Sequence, residues 1–331
     1  MHLWRKLISA PVATVVKLAK SVQSFSGQPY TSKSYVIGIG SPFAGGAGKT
    51  ELSNFCYSLL KKFHPLVLLK GYKGRVKKPT LVTGCSDSVS LFGDEAVMLA
   101  NQGIQVAVSH NKSLGVKHFE SSFPVIIVDD ALQHHRLAPD LVIMTIPIED
   151  PLSVELALSE IFYPVGPLRD FFSDCLHRSD FIVLLDRSGQ EAALDQNVLN
   201  VLNRAIGEKP TFKAKYQIDL PNVNEVSVVT SIARPQGLIL ALKKRNITVV
   251  KHYFFPDHHF FSKQDVVRIE REARGVILTT IKDWTKIQFF ADQDRWFVVK
   301  PTVYFLDGHS FADSLIKRVK TGLADKKLGL S

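Results

Sequence analysis

The stretch GIGSPFAGGAGKT, residues 38–50, decides how this chain is read. It follows an apolar run and leads into a helical pattern, so it forms a strand–loop–helix junction. Gly45, Gly46 and Gly48 let backbone amides turn inward around phosphate oxygens with no Cβ in the way. Lys49 supplies a point charge to the β- and γ-phosphates, Thr50 is placed to ligate Mg²⁺, and the helix N-terminus adds its positive end. The spacing departs from G-x-x-x-x-G-K-[ST] at Phe43, where the first glycine would stand. A chance Gly-rich turn has no need of this context, so nucleotide binding is expected.

Working outward, short apolar runs at 35–39, 66–69, 106–108, 125–128, 141–146 and 181–185 alternate with helical stretches such as 49–62 and 95–102. Strands apolar throughout, with helices between them, predict a P-loop NTPase-like α/β fold: a parallel sheet covered on both faces. A second set of runs at 226–230, 247–252, 276–279 and 296–299 alternates with helical patterns at 236–244, 263–272 and 283–290. This predicts a second, smaller α/β domain joined by a hinge. The expected division is an N-terminal helix at 1–25, a nucleotide-binding core at 26–210 and a smaller closure domain at 211–306. A C-terminal helix within 307–331 then packs back on the core. The boundary falls near 207–216, and 298–306 is expected to return beside it.

Composition narrows the function. The chain has 331 residues, with 41 Lys and Arg against 31 Asp and Glu, a formal charge of +10. Such an excess suits phosphorylated substrates, anionic lipid or nucleic acid. The basic residues are scattered and not interleaved with aromatics, so no nucleic-acid partner is expected. Three separated cysteines (Cys56, Cys85 and Cys175) form neither a disulfide framework nor a zinc cluster, the usage of a reducing compartment. No run approaches the ~18 apolar residues of a spanning helix. In residues 1–25, however, Trp4, Leu7, Ile8, Pro11, Val15, Leu18 and Val22 share one helical face. Arg5, Lys6, Lys17 and Lys20 lie largely on the other, the pattern of a helix in a lipid headgroup layer. Pro11 is expected to kink or break it. Docking of the same stripe on the protein's own core is one competing expectation; a secretory signal is the other, ranked last because Lys17 and Lys20 cut the apolar core short and no clean cleavage site follows.

Phosphoryl transfer with Mg²⁺ needs carboxylates at the end of a neighbouring strand. PVIIVDD (124–130) supplies Asp129 and Asp130 after an apolar strand. Asp94 and Glu95 open a helix, where plain capping explains them equally well. In FPDHHF (255–260) an Asp–His pair either polarises a base or forms a turn before a cap at Ser262; the residues leave the two readings even.

The ordered blocks resemble one family, the tetraacyldisaccharide 4'-kinases of lipid A biosynthesis. GSPFAGGAGKT resembles its GN-x-x-x-GG-x-GKT loop, which also lacks the first glycine. LLKGYKG (68–74) resembles SRGYGG, GDEAVMLA (93–100) resembles GDEPLLLA, and VDDALQHHRLAPDL (128–141) resembles the DDGLQH block. YPVGPLRD (163–170), SIARPQGL (231–238), FFPDHHFFS (254–262) and LTTIKD (278–283) resemble LPAGPLRE, GI-x-x-P-x-x-F, FPDHH-x-[YF]-[ST] and T-x-KD. Ser41, Lys70, Ala96 and Asp170 depart from the family's Asn, Arg, Pro and Glu.

The resemblance implies an ATP-dependent, Mg²⁺-assisted kinase whose acceptor is an acylated disaccharide glycolipid. The enzyme would act at the cytoplasmic face of the inner membrane of a Gram-negative-type bacterium, and no protein partner is implied. It assigns nucleotide contacts to Ser41, Gly45, Gly46, Ala47, Gly48, Lys49, Thr50 and Arg169. Metal contacts fall to Thr50, Glu95, Asp129 and Asp130, while Gln133 and His134 face the cleft. Asp94 and His258 draw the proton from the sugar hydroxyl and Asp257 orients His258, brought together by closure across 209–216. The alternatives are another P-loop small-molecule kinase or nucleotide-dependent ligase, and a non-catalytic ATP- or nucleic-acid-binding protein of a membrane surface.

Overall fold

The computed structural model describes residues 3–24, 27–83, 88–188, 195–232 and 235–329. Met1, His2 and Phe25 of the expected first helix, Cys85, Ala233, Arg234, Leu330 and Ser331 lie outside the described residues.

The chain opens with α1 (Leu3–Ser24), β1 (Tyr35–Gly40) and α2 (Lys49–Leu59). Next come β2 (Pro65–Leu69), β3 (Thr80–Leu81), α3 (Ser88–Phe92), α4 (Asp94–Asn101), β4 (Val106–Val108), α5 (Lys112–Phe119) and β5 (Val125–Asp129). They lead to β6 (Leu141–Pro147), α6 (Pro151–Leu158), α7 (Phe172–His177), β7 (Phe181–Asp186), α8 (Gln196–Ile206) and β8 (Thr211–Gln217). The remainder is β9 (Glu225–Thr230), α9 (Gln236–Lys244), β10 (Thr248–Phe254), α10 (Lys263–Glu272), β11 (Val276–Thr280), α11 (Ile281–Ile287), β12 (Trp296–Val299), β13 (Thr302–Phe305) and α12 (Ser310–Lys327).

Among the described residues these strands form two sheets, one in the order β13-β8-β7-β6-β1-β5-β2-β4-β3 and one in the order β10-β9-β11-β12. All six residues of β1 are buried, as an apolar strand covered on both faces must be. It lies between β5 and β6, parallel to both, so the chain reverses its direction of travel across the sheet at β1. Ligands of open α/β sheets bind at the carboxyl ends of strands at such a reversal. The pairing of Ile39 with Asp129 sets that carboxylate beside the loop leaving β1.

The core under β1 joins Ile37, Ile39, Leu52 and Cys56 to Phe311, Leu315 and Val319 of α12, which are fully buried. Each such side chain contributes about 1.5–3 kcal/mol on leaving water. Burial also pushes the Cys56 and Cys175 thiols up, which leaves them inert.

Two expectations change. Strand β8 is paired on both sides, parallel to β7 and antiparallel to β13, so 211–217 belongs to the large sheet. The crossings to the small sheet are the short segments 218–224 and 300–301. Helix α1 runs unbroken through Pro11. It rests on the core through Val12, Ala13 and Val16. The apolar stripe faces outward instead of docking: Trp4, Leu7, Ile8, Val15, Leu18 and Val22 are 52–70% exposed. No helix among the described residues is long and apolar enough to cross a membrane.

Candidate active site

The loop after β1 takes the shape its glycines permit. Gly45, Gly46 and Gly48 have φ of 67°, 36° and 74°, a backbone region that other residues enter at a cost. Gly48 is the sharper requirement, because a Cβ there would meet Leu185 Cδ2 at 2.2 Å. Ala47 is buried. Phe43, at the missing glycine, packs edge-on against Phe172 with ring centroids 6.5 Å apart and bridges to Leu168. The loop is thus anchored by the 163–170 segment, whose Pro167 carbonyl accepts from the Ala44 amide at 2.7 Å.

Ser41 departs from its expected role as a nucleotide contact. It is fully buried and its hydroxyl donates to the Thr145 carbonyl at 2.8 Å, so it braces the loop. Gln133 does the same, donating through Nε2 to the Ser41 carbonyl at 3.1 Å. Arg169 also reaches that carbonyl, at 3.2 Å, and forms a two-pronged ion pair with Asp130.

Lys49 Nζ lies 3.5 Å from Asp130. Burial opposes charge on Asp130, yet Lys49 and Arg169 outweigh it and hold the carboxyl well below the usual range. Asp129 has the reverse balance. It is 5% exposed, and the only hydrogen bonds to its carboxylate among the described residues are long contacts from Thr50 Oγ1 and Ser53 Oγ, at 3.4 and 3.5 Å. Burial, reinforced by Asp130 and Glu95 and opposed by Lys49, pushes it up to about 6. A buried carboxylate short of partners beside a threonine hydroxyl, next to a glycine-lined cradle, fits Mg²⁺ carried by a nucleotide. Thr50 and Asp129 would hold the ion, with phosphate oxygens and water completing its six oxygens. Among the described residues no cluster of three His, Cys, Asp or Glu side chains could bind a metal unaided. Asp130 and Glu95, the other expected metal contacts, form ion pairs with Arg169 and Lys282. His134 is pushed down to about 4 by burial and the nearby Lys112 charge, so it is neutral at pH 7.

The opposite wall comes from the small sheet. His258, at φ 59° in the turn after β10, places Nδ1 2.8 Å from Asp94 Oδ2 at the start of α4. Asp94 is 6% exposed; burial opposes its charge, but His258, Lys282 and Lys286 keep it lowered and anionic. An anionic acceptor on Nδ1 fixes that nitrogen as the protonated one, which leaves the Nε2 lone pair as the basic face. The turn reading of residues 255–260 holds, since Ser262 caps α10 in a reciprocal box with Asp265. Asp94 opens α4 after Gly93, and its Oδ1 accepts from the Glu95 amide at 2.9 Å. Asp257, expected to orient His258, lies 3.7 Å from Nε2, too far to hydrogen-bond; Asp94 orients the ring.

Three functional side chains carried no expectation. Lys286 is buried and contacts Asp283 at 3.0 Å, Ser231 Oγ at 2.8 Å and Asp94 at 3.9 Å, a cation shared between the two walls. The Ser231 backbone carbonyl accepts from the His258 amide at 3.1 Å, which holds the turn. Lys282 bridges Glu95, Asp257 and His258. For Lys282 the signal was in 278–283, a block whose lysine and aspartate match the family motif without being given a role.

A parallel α/β sheet, a glycine cradle at the end of its central strand, and a Lys-Thr pair beside a strand-end carboxylate define a P-loop phosphotransferase. The family model described as tetraacyldisaccharide-1-P 4'-kinase matches residues 4–320, and the chain belongs to that family, kinases of lipid A biosynthesis. The tetraacyldisaccharide 4'-kinase of Psychromonas ingrahamii is 30% identical over 298 residues, 88% of this chain and 87% of that protein. That of Rickettsia typhi is 25% identical over 284 residues, 84% and 85% of the two chains. The fold is similar to that of LpxK from Aquifex aeolicus, crystallised in complex with ATP, with a TM-score of 0.72. The match covers 96% of this chain and 99% of that one at 22% identity.

Proposed function

We propose that this kinase transfers the γ-phosphate of ATP to the 4'-hydroxyl of a tetraacyldisaccharide 1-phosphate at a membrane surface, with His258 as general base. The Asp94–His258 contact at 2.8 Å carries the reading, because it unites a residue of each wall into one proton acceptor. The loop amides, Lys49 and Arg169 would offer positive charge to the phosphates, and Mg²⁺ would neutralise the charge that develops in transfer. Nδ1–H stays on Asp94 while Nε2 takes the hydroxyl proton. A positioned base of this kind contributes about 10²–10⁴-fold.

Two further readings belong to the proposal. The outward stripe of α1 enters the headgroup region of the inner membrane's cytoplasmic leaflet, held to the protein by Arg5 on the Val165 carbonyl and Lys20 on Asp170. Opening of the cleft separates Asp94 from His258 by flexing at 218–224 and 300–301, since β8 is locked by pairing on both sides.

The test is incubation with Mg-ATP and the disaccharide-1-phosphate lipid, followed by mass analysis for one added phosphate. Product is expected from the parent protein, with Asp94→Ala and His258→Ala slower by about 10²–10⁴-fold. Near-normal transfer by both variants overturns the base assignment. Flotation with anionic liposomes, retained by the full chain and lost without residues 1–24, tests the membrane reading.

A further inference from the structure

Helix α11 presents one cation to the part of the cleft where the acceptor must arrive. Lys282 Nζ lies 3.3 Å from His258 Nε2, 3.4 Å from Glu95 Oε1 and 3.8 Å from Asp257 Oδ1. Burial opposes its charge, but Glu95, Asp94 and Asp257 outweigh that, so the group is an ammonium. With Nδ1–H given to Asp94, Nε2 is the only face of the imidazole left for a sugar hydroxyl, and Lys282 caps that lone pair. An acceptor oxygen that hydrogen-bonds to Nε2 therefore arrives in contact with the Lys282 ammonium. The group's next neighbour is Glu95, whose carboxyl is raised by burial, opposed by Lys282, and also feels Asp94 and Glu51 of α2. Lys282 therefore stands at the one nitrogen of the base that the hydroxyl must reach.

We propose that Lys282 is a further catalytic residue, which leaves Nε2 when the sugar hydroxyl binds and donates to the non-bridging oxygens of the phosphoryl group in flight. In that step the bond from the sugar oxygen to phosphorus forms and the bridge from the β-phosphate oxygen to the γ-phosphorus breaks. The hydroxyl proton passes to His258 Nε2, and the bond pair leaves on ADP. Lys282 keeps its protons and changes acceptor. A donor of this kind adds charge where the transition state carries it and is released from the base at the moment the base is needed. The assignment rests on the His258 reading of the site.

The experiment uses the full chain with Mg-ATP and the lipid acceptor in detergent micelles, comparing Lys282→Met, Lys282→Arg and His258→Ala. Loss of one such donor is expected to lower kcat about 10²–10³-fold in Lys282→Met, with the KM for ATP within about twofold. Lys282→Arg retains charge and recovers part of the rate. Binding of ADP–aluminium fluoride in the presence of acceptor, read by calorimetry, weakens in Lys282→Met while ATP binding holds. If Lys282→Met keeps its kcat while His258→Ala loses it, the role of Lys282 is overturned and the base reading stands. If His258→Ala is also active, the site reading itself falls. Should Lys282→Met bind ATP and the fluoride complex equally weakly, with its melting temperature lowered to match, the lysine is a structural bridge and the proposal is refuted.

Discussion

Gly48 and Gly45 allow the phosphate loop to be tested with two substitutions that share a backbone conformation and differ in surroundings. Both have positive φ, 74° and 67°. Alanine at either position meets the left-handed penalty of roughly 1–2 kcal/mol. At Gly45 nothing lies within 4 Å of the added Cβ, so that penalty is the whole cost. At Gly48 the Cβ meets Leu185 Cδ2 at 2.2 Å and the Tyr216 hydroxyl at 3.0 Å. Neither neighbour yields easily, because Leu185 is fully buried and Tyr216 is tied to Glu51 by a 2.9 Å hydrogen bond. Overpacking of this sort costs a further ~1–3 kcal/mol. Gly48→Ala is therefore expected to lose about 2–5 kcal/mol in urea unfolding against about 1–2 for Gly45→Ala. ATP affinity, measured by calorimetry, should fall further in the Gly48 variant, since the displaced loop also moves Lys49. Equal stability of the two variants would refute the claim that close packing of β7 against the loop, and not backbone conformation alone, demands glycine at 48.

Other outcomes follow from the same structure. Lys20→Met removes the contacts to Asp170 and Asp174 at 2.5 and 2.9 Å. With Asp170 only 2% exposed, the cost is about 1–3 kcal/mol, and faster proteolysis within α1 reports its release. His134, held near 4 when folded, binds fewer protons folded than unfolded below its ordinary 6.5. Its stabilisation is complete above that value and lost as pH falls from 6.5 towards 4, by about 3 kcal/mol at the acid end. Comparing urea curves of the parent and His134→Asn at pH 7 and 4.5 checks this, and an equal acid loss in both contradicts it. Chelation of Mg²⁺ with EDTA should abolish transfer, and Asp129→Asn should weaken the response to added Mg²⁺ more than Asp130→Asn, because Asp130 is engaged by Arg169 and Lys49.

The legible part of this protein was local. Residues 38–50 carry their own conformational demand, since three glycines and a Lys-Thr pair entering a helix can do little else, and the uniformly apolar runs at 125–128 and 141–146 state that both faces of the sheet are covered. The order of the family blocks pointed to Asp94 and His258 without showing that they touch. Tertiary structure decided the pairings that join distant segments. Residues 211–217 read as the start of the smaller unit because strand pairing leaves no mark on a single strand, and only the partners β7 and β13 place them in the large sheet. Likewise a buried lysine resembles a surface one in sequence: Lys286 and Lys282 became part of the cleft only when α11 came to rest against α4. The orienting role passed from Asp257 to Asp94 for the same reason, because the adjacent residue in the chain is not the nearest carboxylate to Nδ1 in space. Sequence fixes what a short segment must do with its own backbone and faces, while the charges that tune a site arrive from segments far apart along the chain.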